Sequence, residues 1–335
     1  MPTQTLEDIR SNGLLQCLFQ PIYSLCEQQI LGYEALSRGP EDSPLFTPLQ
    51  LFAAARETAQ LCDLDSFCRQ LACSRFRQLQ LQGLLFLNVS PESLLDPEHK
   101  PGRTLKLIDS LGLCPSNVVI ELTEHAPGQD FALLENALRH YRAMGFRIAL
   151  DDLGSGFSSL RLWSELRPDY VKIDRHFIQG IHQDAVKREF VSSIVKMAGA
   201  SRAQVIVEGV EQREELTTLI NLGVDLVQGF LLCKPQAFPP LQAGDILTQL
   251  LPPADTPPVA EKPLLSLLLQ QSGVNQGAQI NDVLQRFHQQ ANLNSLVVLD
   301  SKGRPVGIVH RQPLAEAMLR PFAQDLLGRK PITRL

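Results

Sequence analysis

The sequence predicts an α/β protein, a (β/α)8 barrel followed by a small C-terminal α/β unit. Three observations lead to this prediction. Short, almost continuous apolar runs alternate with helix-like stretches, as expected for a sheet that is covered on both faces. A polar residue follows the apolar run in one unit after another. A proline-rich stretch then separates this pattern from a shorter one near the C-terminus.

The predicted strands of the barrel follow one another through the first 250 residues. They are residues 17–24, 29–36, 84–87, 118–120, 148–150, 170–173, 205–207 and 226–227. Helical patterns such as 131–144, 188–197 and 213–222 lie between them. The carboxyl ends of barrel strands meet at one mouth, where active sites are built. Because no Gly-x-Gly-x-x-Gly or Walker loop supports an open nucleotide-binding sheet, we expect a modified TIM barrel over residues 1–251.

The last third of the chain predicts a separate, smaller unit. Residues 252–263 carry five prolines, which predicts a stiff, extended linker. Within residues 264–335, helical patterns at 280–290 and 313–319 flank strand patterns at 296–299 and 306–309. The chain ends as a further element begins, so we expect a longer parent protein.

Composition narrows the class of protein. Hydrophobic residues make up 44% and charged residues 20%, which is typical of a soluble globular chain. The net charge of −5 argues against a nucleic-acid polymer as partner. The seven cysteines include no Cys-x-x-Cys pair, which favours a reducing compartment. Because no stretch reaches the ~18 apolar residues of a membrane span and no signal peptide is visible, we expect a cytoplasmic protein without a membrane segment.

Polar residues at the predicted strand ends suggest a site for metal ions. They are Glu34, Asn88, Glu121, Asp151, Asp152, Lys172 and Glu208. Five carboxylates at one mouth raise one another's pKa, so cations must offset them, and oxygen ligands select Mg²⁺ or Mn²⁺. A carboxylate bridging two ions is typical of two-metal phosphoryl chemistry. A single acid after a strand is more often a helix N-cap, so on residue types alone both interpretations remain open.

Seven motifs lie at or near these positions and follow one another along the chain. They are Phe19-Gln20-Pro21-Ile22 with Glu34-Ala35-Leu36-Ser37-Arg38, Leu87-Asn88-Val89-Ser90, Glu121-Leu122-Thr123-Glu124, Asp151-Asp152-Leu153-Gly154-Ser155-Gly156-Phe157, Val171-Lys172-Ile173-Asp174, Glu208-Gly209-Val210-Glu211 and Gln228-Gly229-Phe230. In these motifs and their order, the sequence resembles the EAL family of cyclic-di-GMP phosphodiesterases over residues 14–240. The resemblance implies metal-dependent hydrolysis of cyclic di-GMP to linear pGpG.

The resemblance also implies a role for each matched residue. Two Mg²⁺ or Mn²⁺ ions would be held by Glu34, Asn88, Glu121, Asp151 and Asp152, with Ca²⁺ inhibitory. Lys172, Glu208 and Glu34 would be catalytic, and Arg38, Gln20 and Gln228 would bind substrate. Glu124, Asp152, Gly154 and Ser155 would organise a loop beside the second metal. The departures are Leu153, Ser155 and Phe157, where the family usually has Phe, Thr and Tyr, and none of them is a metal or acid–base position.

Three further expectations concern assembly and alternatives. The C-terminal unit resembles one CBS module, and the whole resembles a truncated EAL–CBS–GGDEF arrangement. We expect a homodimer that pairs through the loop 152–159 and the helix near 161–166, with a monomer as the alternative. The competing functions are a non-catalytic cyclic-di-GMP receptor and a dimerisation scaffold. A receptor usually lacks metal ligands, and none is missing here.

Overall fold

The computed structural model describes residues 5–95, 102–123, 131–153, 159–251, 273–290, 293–318 and 327–334. The chain divides into two compact units, Met1–Pro253 and Ala254–Leu335. None of the seven cysteines forms a disulfide. Across the described ranges, no helix combines the length and the apolar character needed to cross a membrane.

The first unit is a closed barrel of eight strands arranged in chain order. The strands are β1 Gln16–Ser24, β2 Gln29–Arg38, β3 Leu84–Asn88, β4 Val118–Thr123, β5 Arg147–Leu153, β6 Tyr170–Ile173, β7 Gln204–Val207 and β8 Leu226–Val227. All eight coincide with predicted strands to within a few residues. The predicted modified TIM barrel is therefore confirmed.

The barrel departs from an all-parallel arrangement at its first strand. β1 runs antiparallel to both β2 and β8, whereas the pairs from β2 to β8 are parallel. Residues 25–28 form a turn between β1 and β2. Such a short connection joins only antiparallel neighbours, because a parallel crossover needs a dozen or more residues. The β1–β2 hairpin thus accounts for the antiparallel first strand, by which this barrel differs from an all-parallel TIM barrel.

Helices cover the outside of this barrel. They are α1 Leu6–Ser11, α2 Pro48–Glu57, α3 Leu61–Gln78, α4 Pro91–Leu95, α5 Arg103–Ser110, α6 Phe131–Ala143, α7 Ser159–Leu166, α8 Arg175–Ile178, α9 Ala185–Ser201, α10 Arg213–Asn221 and α11 Asp245–Leu250, with a 3-10 turn at Pro115–Asn117. In α3, the buried residues Leu61, Leu64 and Cys68 recur at intervals of three and four, the spacing of one helix face. α2 begins at a capping box in which Thr47 and Gln50 accept from each other's backbone N–H groups.

A layer of apolar side chains fills the barrel interior. Its members are Ile22, Leu84, Phe86, Val119, Ala149, Tyr170, Ile206 and Leu226. The rings of Phe86 and Tyr170 meet edge to face with centroids 5.4 Å apart. Residues two apart on a strand face the same side, so the residue two positions beyond an interior apolar residue also points inward. This apolar layer therefore lies directly beneath the polar residues of the mouth.

The second unit contains a three-stranded sheet in the order β11–β10–β9. The strands are β9 Val274–Asn275, β10 Ser295–Leu299 and β11 Pro305–His310, with helices Ile280–Gln289 and Arg311–Met318 and a 3-10 turn at Ile332–Arg334. The predicted helices and strands lie within two residues of these bounds, but the two-residue strand β9 was not predicted. The predicted linker 252–263 lies outside the described residues, and the likeness to a CBS module stays a prediction.

The close approach of β2 and β3 provides a test of barrel packing. A Cβ at Gly32 would lie 2.2 Å from the backbone oxygen of Leu84, whereas one at Gly199, within α9, meets nothing within 4 Å. We expect Gly32→Ala to lower the free energy of unfolding by about 1–3 kcal/mol, because the clash is with backbone. Gly199→Ala should raise it by about 0.5–1 kcal/mol, because alanine loses less backbone entropy in a helix. Urea denaturation measures both, and equal stability of the two variants would contradict the packing described.

Candidate active site

Each strand of the barrel contributes a polar side chain to one mouth. Asn88, Glu121, Asp151, Lys172, Glu208 and Gln228 lie two positions after Phe86, Val119, Ala149, Tyr170, Ile206 and Leu226 of the interior layer. On the hairpin, Gln20 of β1 lies directly opposite Glu34 of β2. Glu34 is within its strand rather than at its end, because β2 extends to Arg38. The structure thus brings the predicted metal and acid–base residues together.

Lys172 lies at the centre of this group and is completely buried. Its Nζ is 2.6 Å from Glu208 Oε1, 2.9 Å from Glu121 Oε1, 3.3 Å from Glu34 Oε2 and 3.4 Å from Asp151 Oδ1. One ammonium group therefore contacts carboxylates from four other strands or strand ends. A buried charge with several opposite partners is strongly held in place, because losing any partner leaves another charge uncompensated.

Amide side chains fix the orientation of Glu34. Gln228 Nε2 donates to Glu34 Oε2 at 2.7 Å and to Gln20 Oε1 at 2.9 Å. Asn88 Nδ2 donates to the other Glu34 oxygen at 3.1 Å, and Gln20 Nε2 donates to the Cys233 carbonyl at 2.9 Å. Gln228, predicted to bind substrate, therefore also holds a predicted metal ligand in place, and Gln20 in turn accepts from Gln228.

A backbone irregularity brings two successive acids to the mouth. Neighbouring residues of a regular strand point to opposite faces, so Asp151 and Asp152 would ordinarily diverge. The pairing of β5 with β6 shifts register between Leu150 and Leu153, and Asp152 adopts a positive φ of 55°. As a result, carboxylate oxygens of Asp151, Asp152 and Glu208 all lie within 4.8 Å of one another.

The acids around Lys172 have displaced pKa values. Burial, reinforced by the nearby carboxylates, raises the pKa of Glu121 well above its usual value and also raises that of Asp151. Burial likewise raises the pKa of Glu208 to about 8 against the opposing effect of Lys172. For Glu34, burial acts upward, but Lys172 and the donors Gln228 and Asn88 together outweigh it, so the pKa is lowered. One ammonium therefore does not compensate all the acids that surround it.

The residues at the mouth fit divalent cations. Glu121 is fully buried, and the Lys172 ammonium lies 2.9 Å from its Oε1. Its Oε2 has no hydrogen-bond partner among the described residues. An unsatisfied buried carboxylate oxygen beside further acids is part of a ligand set suited to a hard cation such as Mg²⁺ or Mn²⁺. Glu34, Asn88, Glu121, Asp151 and Asp152 are the residues that would hold such ions.

Loop geometry places Glu208 beside Lys172. The chain turns at Gly209, whose φ is +67° and where a Cβ would lie 2.4 Å from the Arg175 side chain. The buried Glu215 accepts from the backbone N–H groups of Gly180, Glu211 and Gln212 at 2.9–3.0 Å. This carboxylate ties the loop after β7 to the start of α10, and so stabilises the position of Glu208.

A cleft of about 450 Å³ opens from the mouth. Glu34, Asn88 and Asp152 line it on the side of the barrel strands, and α2 with α3 lines it on the other. Arg38, predicted to bind a phosphate, is half-buried and donates from Nη1 to the Ser37 carbonyl at 2.8 Å. It is not among the residues that line this cleft. Its contact with substrate stays a prediction.

Some predicted site residues cannot be placed, and some residues at the site were not predicted. Glu124, Gly154 and Ser155 lie outside the described residues. The buried ion pair Asp65–Arg69 on α3 lines the cleft and was not among the predicted site residues. Its i, i+4 spacing within an apolar helix face is a signal that could have revealed it. Arg56, which also lines the cleft, carries no such signal.

Comparisons with known proteins agree with this site. The family profile described as "EAL domain" matches residues 3–235. "Cyclic di-GMP phosphodiesterase RocR" of Pseudomonas aeruginosa is 33% identical over 232 residues, covering 67% of this chain and 58% of RocR. "Blue light- and temperature-regulated antirepressor BluF" of Escherichia coli is 27% identical over 217 residues, covering 64% of this chain and 53% of BluF. The structure "Klebsiella pneumoniae BlrP1 pH 9.0 manganese/cy-diGMP complex" is 30% identical with a TM-score of 0.62, covering 67% of this chain and 56% of that one.

The chain is an eight-stranded barrel with one antiparallel strand. Its mouth carries acids around a buried lysine, a ligand set suited to divalent metal ions. The profile match extends over more than half of the chain, and this chain belongs to the EAL domain family. The chain covers less than two thirds of the length of either of these curated relatives.

Lys172 provides a test of the electrostatics of the mouth. We expect Lys172→Met to lower the free energy of unfolding in chelator by about 3–5 kcal/mol, because removing one partner of a buried ion cluster leaves uncompensated charge. Adding Mg²⁺ or Mn²⁺ should restore part of this loss, because a cation at the mouth compensates the same acids. Lys196→Met, on the exposed side of α9, is the matched control, with an expected change within about 0.5 kcal/mol. Urea denaturation with and without metal measures these values, and equal effects of both substitutions would contradict this account.

Proposed function

We propose that this chain is a metal-dependent phosphodiesterase that hydrolyses cyclic di-GMP to linear pGpG. The observation that carries the proposal is the cluster of Glu34, Glu121, Asp151 and Glu208 around the buried Lys172. The family membership and the names of relatives such as RocR support the same activity. All the predicted metal and acid–base residues lie among the described residues of the mouth.

We propose two Mg²⁺ or Mn²⁺ ions as cofactors, with Ca²⁺ inhibitory. Ions at such a site supply positive charge to the phosphate and lower the pKa of the attacking water. The BlrP1 structure, a complex with manganese, supports a divalent ion at this fold. Ca²⁺ prefers a larger and looser set of oxygen ligands than Mg²⁺, so it should fill the mouth without supporting turnover.

In the proposed reaction, the protein's own residues handle the proton and the substrate. Glu208 accepts the proton of the attacking water at a carboxylate oxygen, and Lys172, 2.6 Å away, orients that water. A new oxygen–phosphorus bond forms as the bond to the 3′ oxygen breaks. The 3′ oxygen then takes a proton from solvent and leaves as a hydroxyl. Gln20 of β1 and Gln228 after β8 come from the two strands that follow β7 in the barrel order, and they would position the sugar–phosphate chain.

A second candidate is a non-catalytic cyclic-di-GMP receptor or scaffold. The likeness to BluF, whose name describes an antirepressor rather than an enzyme, favours this candidate. The assembled acids favour the enzyme instead, because a scaffold needs no cluster of buried carboxylates that destabilises the fold without cations.

The enzyme proposal predicts that pGpG forms from cyclic di-GMP in Mg²⁺ or Mn²⁺. Chelator should abolish turnover, and Ca²⁺ should suppress it even when Mg²⁺ is present. Chromatography of the products measures these rates. Binding of cyclic di-GMP without any pGpG in Mg²⁺ and Mn²⁺ would instead establish the receptor, and absence of both would leave only the scaffold.

Glu34→Ala is the matched variant for this experiment. It removes a proposed metal ligand, so we expect at least a ~100-fold loss of turnover with the fold retained. Circular dichroism serves as the folding control. Turnover equal to that of the wild type would refute the role of Glu34 as a metal ligand.

We also propose a domain organisation and a cellular location. Residues 1–251 would form the phosphodiesterase barrel, 252–263 a linker and 264–335 a partial CBS-like module. The packing of Ile280, Val283 and Leu314 in a separate apolar cluster supports an independent C-terminal unit.

The free cysteines support a reducing, cytoplasmic location.

We propose a homodimer that pairs through α7 and the loop before it. Leu160 on α7 is 59% exposed, whereas Trp163 on the same helix is buried and donates to Ser201 at 3.1 Å. An exposed leucine beside the mouth supports a self-complementary contact. We expect light scattering to report a dimer for both the full chain and residues 1–251. Monomers of both with metal present would rule out the dimer, and a dimer of the full chain alone would assign the contact to the C-terminal unit.

A further inference from the structure

Among the described residues that line the cleft at the mouth, two are basic, Arg56 and Arg69. Arg69 is 5% exposed and forms an ion pair with the buried Asp65, so its charge is already compensated. The side chain of Arg56 is 49% exposed and therefore accessible to a ligand in the cleft.

The Arg56 side chain is held in the wall of the cleft by an ion pair with Glu92 of α4. Its Nε donates to Glu92 Oε1 at 3.0 Å, which links the last turn of α2 to α4. Glu92 follows Asn88 by only four residues, and Asn88 lies at the end of β3 in the mouth. This contact uses Nε, and among the described residues Glu92 is the hydrogen-bond partner of the Arg56 side chain. Within the described ranges, neither Nη group has a hydrogen-bond partner, and both could donate to a further acceptor.

The chemistry of the proposed substrate requires a second cationic contact. A cyclic dinucleotide carries two phosphodiesters, each with one negative charge. In the proposed reaction, one of them would be hydrolysed at the mouth, where the acids would hold divalent cations that attract it. The other phosphate would then face the cleft, whose wall also includes the apolar Pro48, Leu49 and Phe52 and the uncharged Ser37 and Ser90. An anion desolvated in this way is costly unless a cation pairs with it.

We infer that Arg56 binds the phosphate of the cyclic dinucleotide that is not cleaved. This inference rests on the proposed function and adds a residue that determines substrate specificity. The Nη groups of a guanidinium donate two parallel hydrogen bonds to a phosphate, an arrangement that a lysine does not reproduce. Glu92 holds the guanidinium through Nε, so that it faces the cleft before substrate arrives. Arg56 would thereby favour a two-phosphate ring over a single phosphodiester.

The experiment compares two substrates of the same reaction. Cyclic di-GMP has both phosphates, and bis(p-nitrophenyl) phosphate has one phosphodiester and no second anion. The variants are Arg56→Ala, Arg56→Lys and Glu92→Gln, in the full chain with Mg²⁺. Arg10→Ala is the matched control, because Arg10 is also exposed and pairs with an acid, Asp63, at 3.8 Å but lies outside the cleft.

For Arg56→Ala we expect the KM for cyclic di-GMP to rise about tenfold, with kcat within about twofold, because the contact is equal in ground and transition states. Hydrolysis of bis(p-nitrophenyl) phosphate should not change. Arg56→Lys should recover only part of the KM. Glu92→Gln should leave the KM near the wild-type value, because the amide oxygen of glutamine can still accept from Arg56 Nε and hold the guanidinium in place. Arg10→Ala should match the wild type on both substrates.

Three results would overturn the inference. An unchanged KM in Arg56→Ala would show that this residue does not contact substrate. An equal loss on both substrates, or a Glu92→Gln variant that reproduces Arg56→Ala, would make the pair a structural link between α2 and α4. If the wild type forms no pGpG, the proposed catalysis fails, and calorimetric binding of cyclic di-GMP to the wild type and Arg56→Ala then tests the contact by itself. Equal affinity, or no binding to either protein, would reject it.

Discussion

The contacts of Lys172 with four carboxylates are the constraint on which the rest of the mouth depends. The ammonium is fully buried, and its partners come from different segments of the barrel. In a low-dielectric interior each of these contacts is strong, but each charge is also costly to leave alone. The cluster therefore requires that all contributing strands keep their register, and it leaves an excess of acid that fits metal ions. Structure and proposed activity thus have the same electrostatic origin.

The apolar layer beneath the mouth makes this arrangement possible. Phe86, Val119 and Tyr170 fill the barrel, and the residues two positions further on point into the same space. A shift of one residue in any strand would turn its polar residue outward and expose an apolar one to the interior. Packing of the apolar layer thereby sets the position of each polar group above it. This is why a hydrophobic core can determine the geometry of a charged site.

The walls of the cleft come from segments that the barrel alone does not position. α2 and α3 lie between β2 and β3 in the chain, and their side chains form the wall opposite Asn88 and Asp152. The buried pair Asp65–Arg69 and the exposed pair Arg56–Glu92 differ in what they leave available. The first is closed within the wall, whereas the second presents a guanidinium to the cleft. The difference in burial separates a structural pair from a candidate contact for substrate.

The sequence by itself determined the barrel, its strands and the residues of the mouth. Apolar runs followed by polar residues are local features, and a closed barrel brings strand ends together whatever the intervening helices contain. Only the tertiary structure decided how Asp151 and Asp152 reach the same side, because that depends on a register shift and a positive φ at Asp152. It also decided that Lys172 contacts four acids at once and that Arg56, in the wall of the cleft, pairs with Glu92 of α4. These relations join residues far apart in the chain, and no local pattern records distances between such residues.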